Sequence, residues 1–128
     1  MNRWIESTSK SIAVWTFNIN KSNGSWTVSF GIISKEFEAE LNQKPPSHLI
    51  PDVGSGRKDR FGEGDRVKIK LDLKKGIISS KINDRDWIMQ YTNIEISKDI
   101  RYKMIVSLSK PNSSVTLKEF IHITNTTS

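Results

Sequence analysis

The sequence contains no cysteine, which excludes disulfides, thiolate zinc sites and cysteine nucleophiles together. Histidine is almost as scarce: His48 and His122 are the only two, and neither has a second ligand at metal-binding spacing. We therefore expect no metal and no cofactor. The simplest interpretation places His48 in a solvated loop and His122 in a C-terminal tail.

Long apolar runs are also absent. No stretch approaches the roughly 18 apolar residues that a membrane-spanning helix needs. The first residues, Met-Asn-Arg-Trp-Ile-Glu, contain no apolar segment of the signal-peptide type. We therefore expect neither a leader nor a membrane partner, and the lack of cysteine favours a cytoplasmic or nuclear protein.

What is present is typical of one globular domain. A chain of 128 residues has the usual length of a single domain. Four tryptophans and five phenylalanines supply large side chains for a core. We predict a single domain over residues 1–128, whose net charge of +6 favours acidic partners through long-range attraction.

Alternation of apolar and polar residues predicts β-strands along most of the chain. It is clearest in Arg66–Leu73, where four aliphatic side chains alternate with four charged ones. Two more alternating runs, 13–19 and 26–32, flank an Asn23-Gly24 turn, and this arrangement predicts a hairpin. Further strands are predicted at 78–82, 87–91, 102–108 and 115–117.

One long loop separates these runs. Residues 34–65 contain three prolines and several glycines, and only Ser34–Leu41 hints at a short helix. Loops of this length in compact domains are usually functional or disordered. Many short strands separated by turns predict an all-β sandwich or barrel.

A motif in the middle of the chain resembles a known family. Phe61–Val67 is followed by Leu71–Ile78, and the next strand ends in Ile82-Asn83-Asp84. A Gly-Asp pair before a strand, a second Asp after it and a Gly-containing turn into the next strand resemble the central SPRY/B30.2 motif. The resemblance implies a bent antiparallel β-sandwich of SPRY/concanavalin-like type. It also implies binding of a protein or peptide through the loops, without catalytic activity.

Flanking segments agree with this resemblance, which covers residues 13–117. Residues 15–19 resemble the family's early aromatic strand, 28–32 its Gly-bearing strand, and 91–94 and 102–108 its two late segments. Four positions depart from the family pattern, namely Lys68, Ser80, Asp84 and Lys103. They indicate a divergent member with a repacked core, and no ligand motif of the family is carried over.

Asp65 and Asp72 are a candidate acid–base pair. They lie seven residues apart, so a regular strand points them to opposite faces. Paired glycosidase carboxylates instead lie roughly 5 to 9.5 Å apart across a substrate. We predict that both carboxylates accept backbone N–H bonds in turns. With no nucleophile–base pair elsewhere, the sequence predicts a protein that is not an enzyme.

The four tryptophans differ in their surroundings. Trp15 and Trp26 lie in register with apolar neighbours and are predicted core residues. Trp4 lies in a polar leader, where it is either a packing anchor or a contact. Trp87 follows the charged turn 84–86 and is the best candidate for a partly exposed aromatic, at the core edge or in a contact.

If consecutive strands are antiparallel, the connections between them lie alternately at the two ends of the sandwich. The turns at Asn20–Gly24 and Lys74–Gly76 and the connection 92–101 then lie at one end. The long loop and the turns Asn83–Asp86 and Lys110–Ser113 lie at the other, although a single extra strand in the long loop would break this sorting. The second end collects the predicted partner-binding residues Arg57, Lys58, Arg60, Asp84, Arg85, Trp87 and Lys110.

Lys68, Lys70 and Lys81 form an alternative site. They are predicted on the outer face of two paired strands, where lysines commonly prevent edge-to-edge aggregation. They would also suit an electrostatic platform for acidic protein or nucleic acid. No aromatic residue lies among them to stack bases, which argues against sequence-specific RNA binding.

The sequence therefore leads to two functional hypotheses of different class. The first is a protein-interaction module for an acidic protein or peptide, acting alone or as a subunit of a larger complex. The second is a nucleic-acid-binding domain that uses the lysine face. Carbohydrate binding rests on fold analogy alone and ranks below both.

Overall fold

The computed structural model describes residues 4–21, 28–34, 48–51, 61–96, 99–108 and 113–124. Within them the predicted all-β class is confirmed. The strands are β1 (Ile5–Glu6), β2 (Ile12–Lys21), β3 (Val28–Ser34), β4 (His48–Pro51), β5 (Arg66–Asp72), β6 (Ile77–Ile82), β7 (Ile88–Tyr91), β8 (Arg101–Leu108) and β9 (Ser114–Ile123). A short 3-10 turn, Ser7–Ser9, separates β1 from β2. No helix in the described ranges is long and apolar enough to cross a membrane.

The strands form two antiparallel sheets. One has the order β1-β8-β3-β4 and the other the order β7-β6-β5-β2-β9. The two sheets share one apolar core. Phe17 of the five-stranded sheet and Phe30 of the four-stranded sheet lie with ring centroids 4.7 Å apart, and Phe61 lies 5.4 Å from Phe30. Such aromatic pairs add about 0.5 to 1.5 kcal/mol each beyond the burial of their area.

Alternation along β5 explains why it occupies the middle of its sheet. Val67, Ile69 and Leu71 are fully buried, whereas Lys68 and Lys70 between them are only half-buried on the opposite face. One face of the strand therefore removes three aliphatic side chains from water. Each is worth roughly 1.5 to 3 kcal/mol, which outweighs the weak strand preference of the lysines.

Ser80 shows how the core accommodates a departure from the family pattern. The residue points inward and is fully buried. Its hydroxyl accepts a hydrogen bond from Gln90 Nε2 at 2.8 Å, supplied by the neighbouring strand β7. A polar pair therefore occupies this inward position, and the buried hydroxyl has the partner it needs.

The predicted hairpin around Asn23-Gly24 is wrong. β2 pairs with β5 and β9, whereas β3 pairs with β4 and β8, so the two runs belong to different sheets. Alternation shows that each strand has one buried face, but it cannot show which strands are neighbours. β2 and β3 therefore do not form a two-stranded ribbon.

Within its described residues the long loop contains one strand, β4, and this changes the sorting of the connections. Asn18 near the end of β2 pairs with Arg66 at the start of β5, and Ile12 pairs with Asp72. The end of β2 therefore lies with the Asn83–Asp86 turn and not with Lys74–Gly76, so the predicted position of the Asn20–Gly24 turn is wrong. The prediction assumed no single extra strand in this loop. The presence of β4 therefore reverses the expected direction of every later strand relative to β2.

Both histidines lie in strands. His48 begins β4 opposite Ile32, which corrects its placement in a loop. His122 pairs with Ala13 in β9, and its Nε2 lies 2.8 Å from the Ser11 hydroxyl, which corrects its placement in a tail. β9 continues to Ile123, well beyond the predicted end.

The tryptophans follow the predictions where the structure describes them. Trp15 is 2% exposed, which confirms its core position, and Trp87 is 38% exposed, which confirms partial exposure. Trp4 is half-buried beneath Lys103, whose Nζ lies 4.6 Å from the ring centroid. Trp26 and the suggested helix after Ser34 lie outside the described residues.

Candidate functional site

The five-stranded sheet has two ends that differ in construction. The first, here called the loop end, comprises Asn20, Gly62–Asp65 and Asn83–Trp87. The Ile19 N–H donates to the Asp65 carbonyl at 2.9 Å, and the Gly64 N–H donates to the Ile19 carbonyl at 2.8 Å. The turn before β5 is therefore fastened to the last residues of β2.

Asp65 and Asn83 lock the two turns of the loop end together. The Asp65 carboxylate accepts the Gly62 N–H at 2.8 Å and the Asn83 side-chain N–H at 2.9 Å. Asn83 in turn accepts the Arg66 N–H at 2.9 Å through its side-chain oxygen. Its φ of 52° lies in the left-handed region, which asparagine tolerates better than most residues. The predicted turn-organising role of Asp65 is confirmed.

This hydrogen-bonded frame presents charged and aromatic side chains to solvent. Asp84 and Arg85 are exposed, and Arg66 reaches Asp84 with a nitrogen–oxygen distance of 3.6 Å. A polar depression of about 570 Å³ opens beside them; its lining residues are Asn18, Ile19, Asn20, Gly64, Arg66, Asn83 and Asp84. A shallow polar surface of this kind suits contact with a polypeptide better than enclosure of a small apolar ligand.

The opposite end, here called the sealed end, comprises Ser7–Ser11, Asp72–Gly76, Ile94–Ile96 and Ile100. Ser7 exchanges two bonds with Ile100: its N–H donates to the Ile100 carbonyl at 2.8 Å, and its hydroxyl accepts the Ile100 N–H at 3.0 Å. The Ser11 backbone carbonyl accepts the Leu73 N–H at 2.9 Å. Both serines are fully buried, so the segment before β2 closes this end of the core.

The turn after β5 is fitted tightly into the sealed end. Gly76 has a φ of +71°, and a Cβ at this position would lie 2.5 Å from the Ile94 carbonyl oxygen, so only glycine fits. The Ile94 N–H donates to the Gly76 carbonyl at 2.9 Å. The Asp72 carboxylate accepts the N–H groups of Lys74 at 2.9 Å and Lys75 at 3.2 Å, which confirms its predicted turn role.

The structure connects the two predicted sets of site residues. Trp87 is the last residue of the loop end, and the Lys70 Nζ lies 4.4 Å from the centroid of its ring, so a member of the lysine set covers a member of the partner-binding set. Lys68 and Lys81 are direct cross-strand partners on β5 and β6, as predicted. The remaining predicted residues, Arg57, Lys58, Arg60 and Lys110, lie outside the described residues.

Sequence reasoning missed the role of Asn83. The motif identified Asn83 only as the end of a strand, whereas its side chain joins Asp65 to Arg66 across neighbouring strands. Asp65 and Asn83 lie 18 residues apart, so no local pattern connects them. The strand pairing of β5 with β6 was the one available signal, because it brings the start of one strand beside the end of the other.

Comparison with known proteins identifies the fold of this chain. No family model matches the chain, and no curated protein matches it. The SPRY domain of human HERC1 is similar in structure, with a TM-score of 0.57 at 17% identity over 93% of this chain and 78% of that one. A second human SPRY domain aligns over 91% of this chain and 80% of its own, at 15% identity and a TM-score of 0.49. The resemblance drawn from the sequence is confirmed for the fold: the chain has a SPRY-like fold.

Proposed function

We propose that this domain is a non-catalytic interaction module that binds an acidic protein or peptide partner through its loop end. The observation that carries the proposal is the rigid frame of Asp65 and Asn83, which presents exposed Asp84, Arg85 and Trp87. Recognition residues commonly lie on connections held by a stable scaffold. The SPRY-like fold supports the same role, because the resemblance implies binding of a protein or peptide through loops.

The charge distribution supports an acidic partner. The chain carries a net charge of +6, and both Arg66 and Arg85 are exposed at or beside the loop end. We assign Arg85 and Trp87 as anchors, because arginine and tryptophan are enriched among the residues that dominate binding energy. Arg57, Lys58, Arg60 and Lys110 are proposed to raise the association rate through long-range attraction.

The test compares two charge reversals by affinity capture from the source cell, followed by mass spectrometry. Arg85→Glu alters the loop end, and Lys75→Glu makes the same change at an exposed position of the sealed end. We expect proteins captured by both the wild type and Lys75→Glu to be lost with Arg85→Glu. Adding Trp87→Ala to Arg85→Glu should deepen the loss. Unchanged capture by the folded double variant would discard this surface.

A salt titration with random DNA and RNA tests the alternative that the domain binds nucleic acid. Binding dominated by phosphate contacts falls by roughly three to five orders of magnitude when salt rises a few-fold, for about 6 to 10 contacts. The proposal expects weak binding or none at physiological salt. Tight binding with a steep salt slope, reduced by changing Lys68, Lys70 and Lys81 to glutamine, would replace it.

A further inference from the structure

The outer face of the five-stranded sheet carries a second depression, whose lining residues include neither Arg85 nor Trp87. It has a volume of about 400 Å³ and lies over β2, between β5 and β9. Its lining residues are Thr16, Asn18, Arg66, Lys68, Lys118 and Glu119.

The floor of this depression contains an unpartnered hydroxyl. Thr16 is 5% exposed, and within the described part of the chain its Oγ1 has no hydrogen-bond partner. Buried polar atoms without partners are rare and cost free energy. The hydroxyl is covered in the free protein, and an anion bound in the depression would supply its missing acceptor once the covering side chains move aside.

A β-bulge directs two charged residues to the depression. Thr16 pairs with Glu119 and Phe17 pairs with Leu117, so Lys118 is an extra residue in β9. Lys118 and Glu119 are consecutive, yet both are exposed and both line the depression. Bulges re-aim side chains in this way and are common beside functional sites.

The charges around Thr16 favour an anion. Lys68, the cross-strand neighbour of Thr16, and Lys118 have no ion pair within the described residues. Arg66 contributes a third positive charge, although it also lies 3.6 Å from Asp84. Glu119 is the one negative charge among the lining residues, so the depression keeps an excess of positive charge.

Two apolar cross-strand pairs of β2 and β9 follow this depression on the same face of the sheet. The first is Val14 with Ile121, and the second is Ile12 with Ile123. Ile121 is 43% exposed and Ile123 is 57% exposed. Successive rows on one face lie roughly 7 Å apart, which matches alternate side chains of an extended strand.

We propose that this face binds an extended, acidic and apolar segment of a partner protein, with a carboxylate at Thr16, Lys68 and Lys118 and apolar side chains over Val14, Ile121 and Ile123. A nucleic acid fits this face less well, because the β5 neighbours of Val14 and Ile12 are one cation, Lys70, and one anion, Asp72, and the β9 neighbours Ile121 and Ile123 are apolar. This surface does not include Arg85 or Trp87, so this proposal and the proposed function can fail independently.

The test is a titration of the ¹⁵N-labelled full chain, followed by NMR. The probe is a capped peptide with two glutamates followed by leucines that alternate with serines. We expect saturable shifts of the backbone amides of Thr16, Lys68 and Lys118. Two control peptides replace the glutamates by glutamines or the leucines by serines, and both should bind at least several-fold more weakly.

Matched variants locate the site. Lys68→Gln with Lys118→Gln removes two charges at the depression, and Lys74→Gln with Lys75→Gln removes two charges at the sealed end. Exposed charge pairs contribute up to about fivefold each in affinity. The first double variant should therefore weaken binding by roughly tenfold, and the second should leave it within about twofold.

The Thr16→Val variant distinguishes a role of the Thr16 hydroxyl in binding from a role in stability. The substitution preserves shape and removes the unpartnered hydroxyl, so the free protein should unfold at the same urea concentration or a higher one. The acidic peptide should nevertheless bind roughly tenfold more weakly, because a hydrogen bond to a charged group is lost.

Three results would overturn the proposal. The first is equal binding of the glutamate and glutamine peptides. The second is an equal effect of the two double-lysine variants. The third is a random single-stranded DNA that shifts the same amides at lower concentration than the peptide, which would assign the site to phosphate.

Discussion

The two ends of the five-stranded sheet have similar turn hydrogen bonds but differ in which side chains they expose to solvent. At each end an aspartate at a boundary of β5 accepts backbone N–H groups of a turn: Asp65 at the loop end and Asp72 at the sealed end. At the sealed end Leu73, just before the turn, donates to the carbonyl of buried Ser11, and buried Ser7 bonds Ile100. At the loop end the same frame leaves charged side chains in solvent. The difference teaches that similar turn bonds can serve an end covered by the buried N-terminal segment and an end that exposes Asp84, Arg85 and Trp87 to solvent.

The two positive-φ glycines give the largest contrast. Gly76→Ala should cost about 2 to 5 kcal/mol in the free energy of unfolding, because the left-handed backbone disfavours a Cβ and the methyl group meets the Ile94 carbonyl. Gly64→Ala should cost only about 1 to 2 kcal/mol, since its φ is +88° but nothing lies within 4 Å of the added atom. Urea unfolding measures both. Equal losses would remove the packing difference between the ends.

Substitutions of Asp65 and Asp72 compare the contribution of the turn bonds at the two ends to the free energy of unfolding. Asp65→Ala removes acceptors from the Gly62 N–H and the Asn83 side chain in a partly buried site, so we expect a loss of about 1 to 3 kcal/mol. Asp72→Ala breaks exposed bonds and should cost about 1 kcal/mol or less. The same unfolding experiment applies. A larger loss at Asp72 would show that the loop-end frame is not the firmer of the two.

The N-terminal closure predicts a smaller effect. Ser11→Ala removes a buried hydroxyl that lies 2.8 Å from His122 Nε2 and 2.7 Å from the Ser9 hydroxyl, and it should cost about 1 kcal/mol. Asn20→Ala removes one exposed bond to Thr116 and should cost less than about 0.5 kcal/mol. Amide hydrogen exchange at Leu73 should accelerate only in the first variant. Faster exchange at Leu73 in both variants would contradict separate ends.

The smallest effect concerns the aromatic residue beside the loop end. Lys70→Gln removes the ammonium group over Trp87 and should cost about 0.5 kcal/mol, with a shift of the Trp87 indole N–H signal in NMR. Lys103→Gln is the matched control, because it removes the ammonium over Trp4 instead. Each variant should move only its own indole signal. Movement of the Trp4 signal by Lys70→Gln would show that the surroundings of Trp87 and Trp4 are coupled.

The sequence predicted features that depend on local pattern. The strand at Arg66–Leu73, the turn roles of Asp65 and Asp72 and the burial of Trp15 all follow from residue order, and the structure confirms them. Each depends only on which face of a strand is apolar or on an aspartate beside a turn. The SPRY-like resemblance added the two-layer arrangement, which alternation alone could not distinguish from a barrel.

Features that depend on long-range pairing could not be predicted. In β9 the inward side chains change from Val115 and Leu117 to Phe120 and His122, because the bulge at Lys118 interrupts the period of two. The end of β9 therefore resembled a tail. β4 is only four residues long and ends in proline, so it did not stand out from the long loop. The presence of β4 determines at which end of the five-stranded sheet the Asn20 turn lies.

Hydrogen exchange of the full chain with its purified partner, identified by the capture experiment, tests the central claim most directly. The account predicts slower exchange on binding at 62–66 and 83–87, with no change at Ser7–Ser11 and Asp72–Gly76. Protection confined to the sealed end, with unchanged exchange around Asn83, would contradict it.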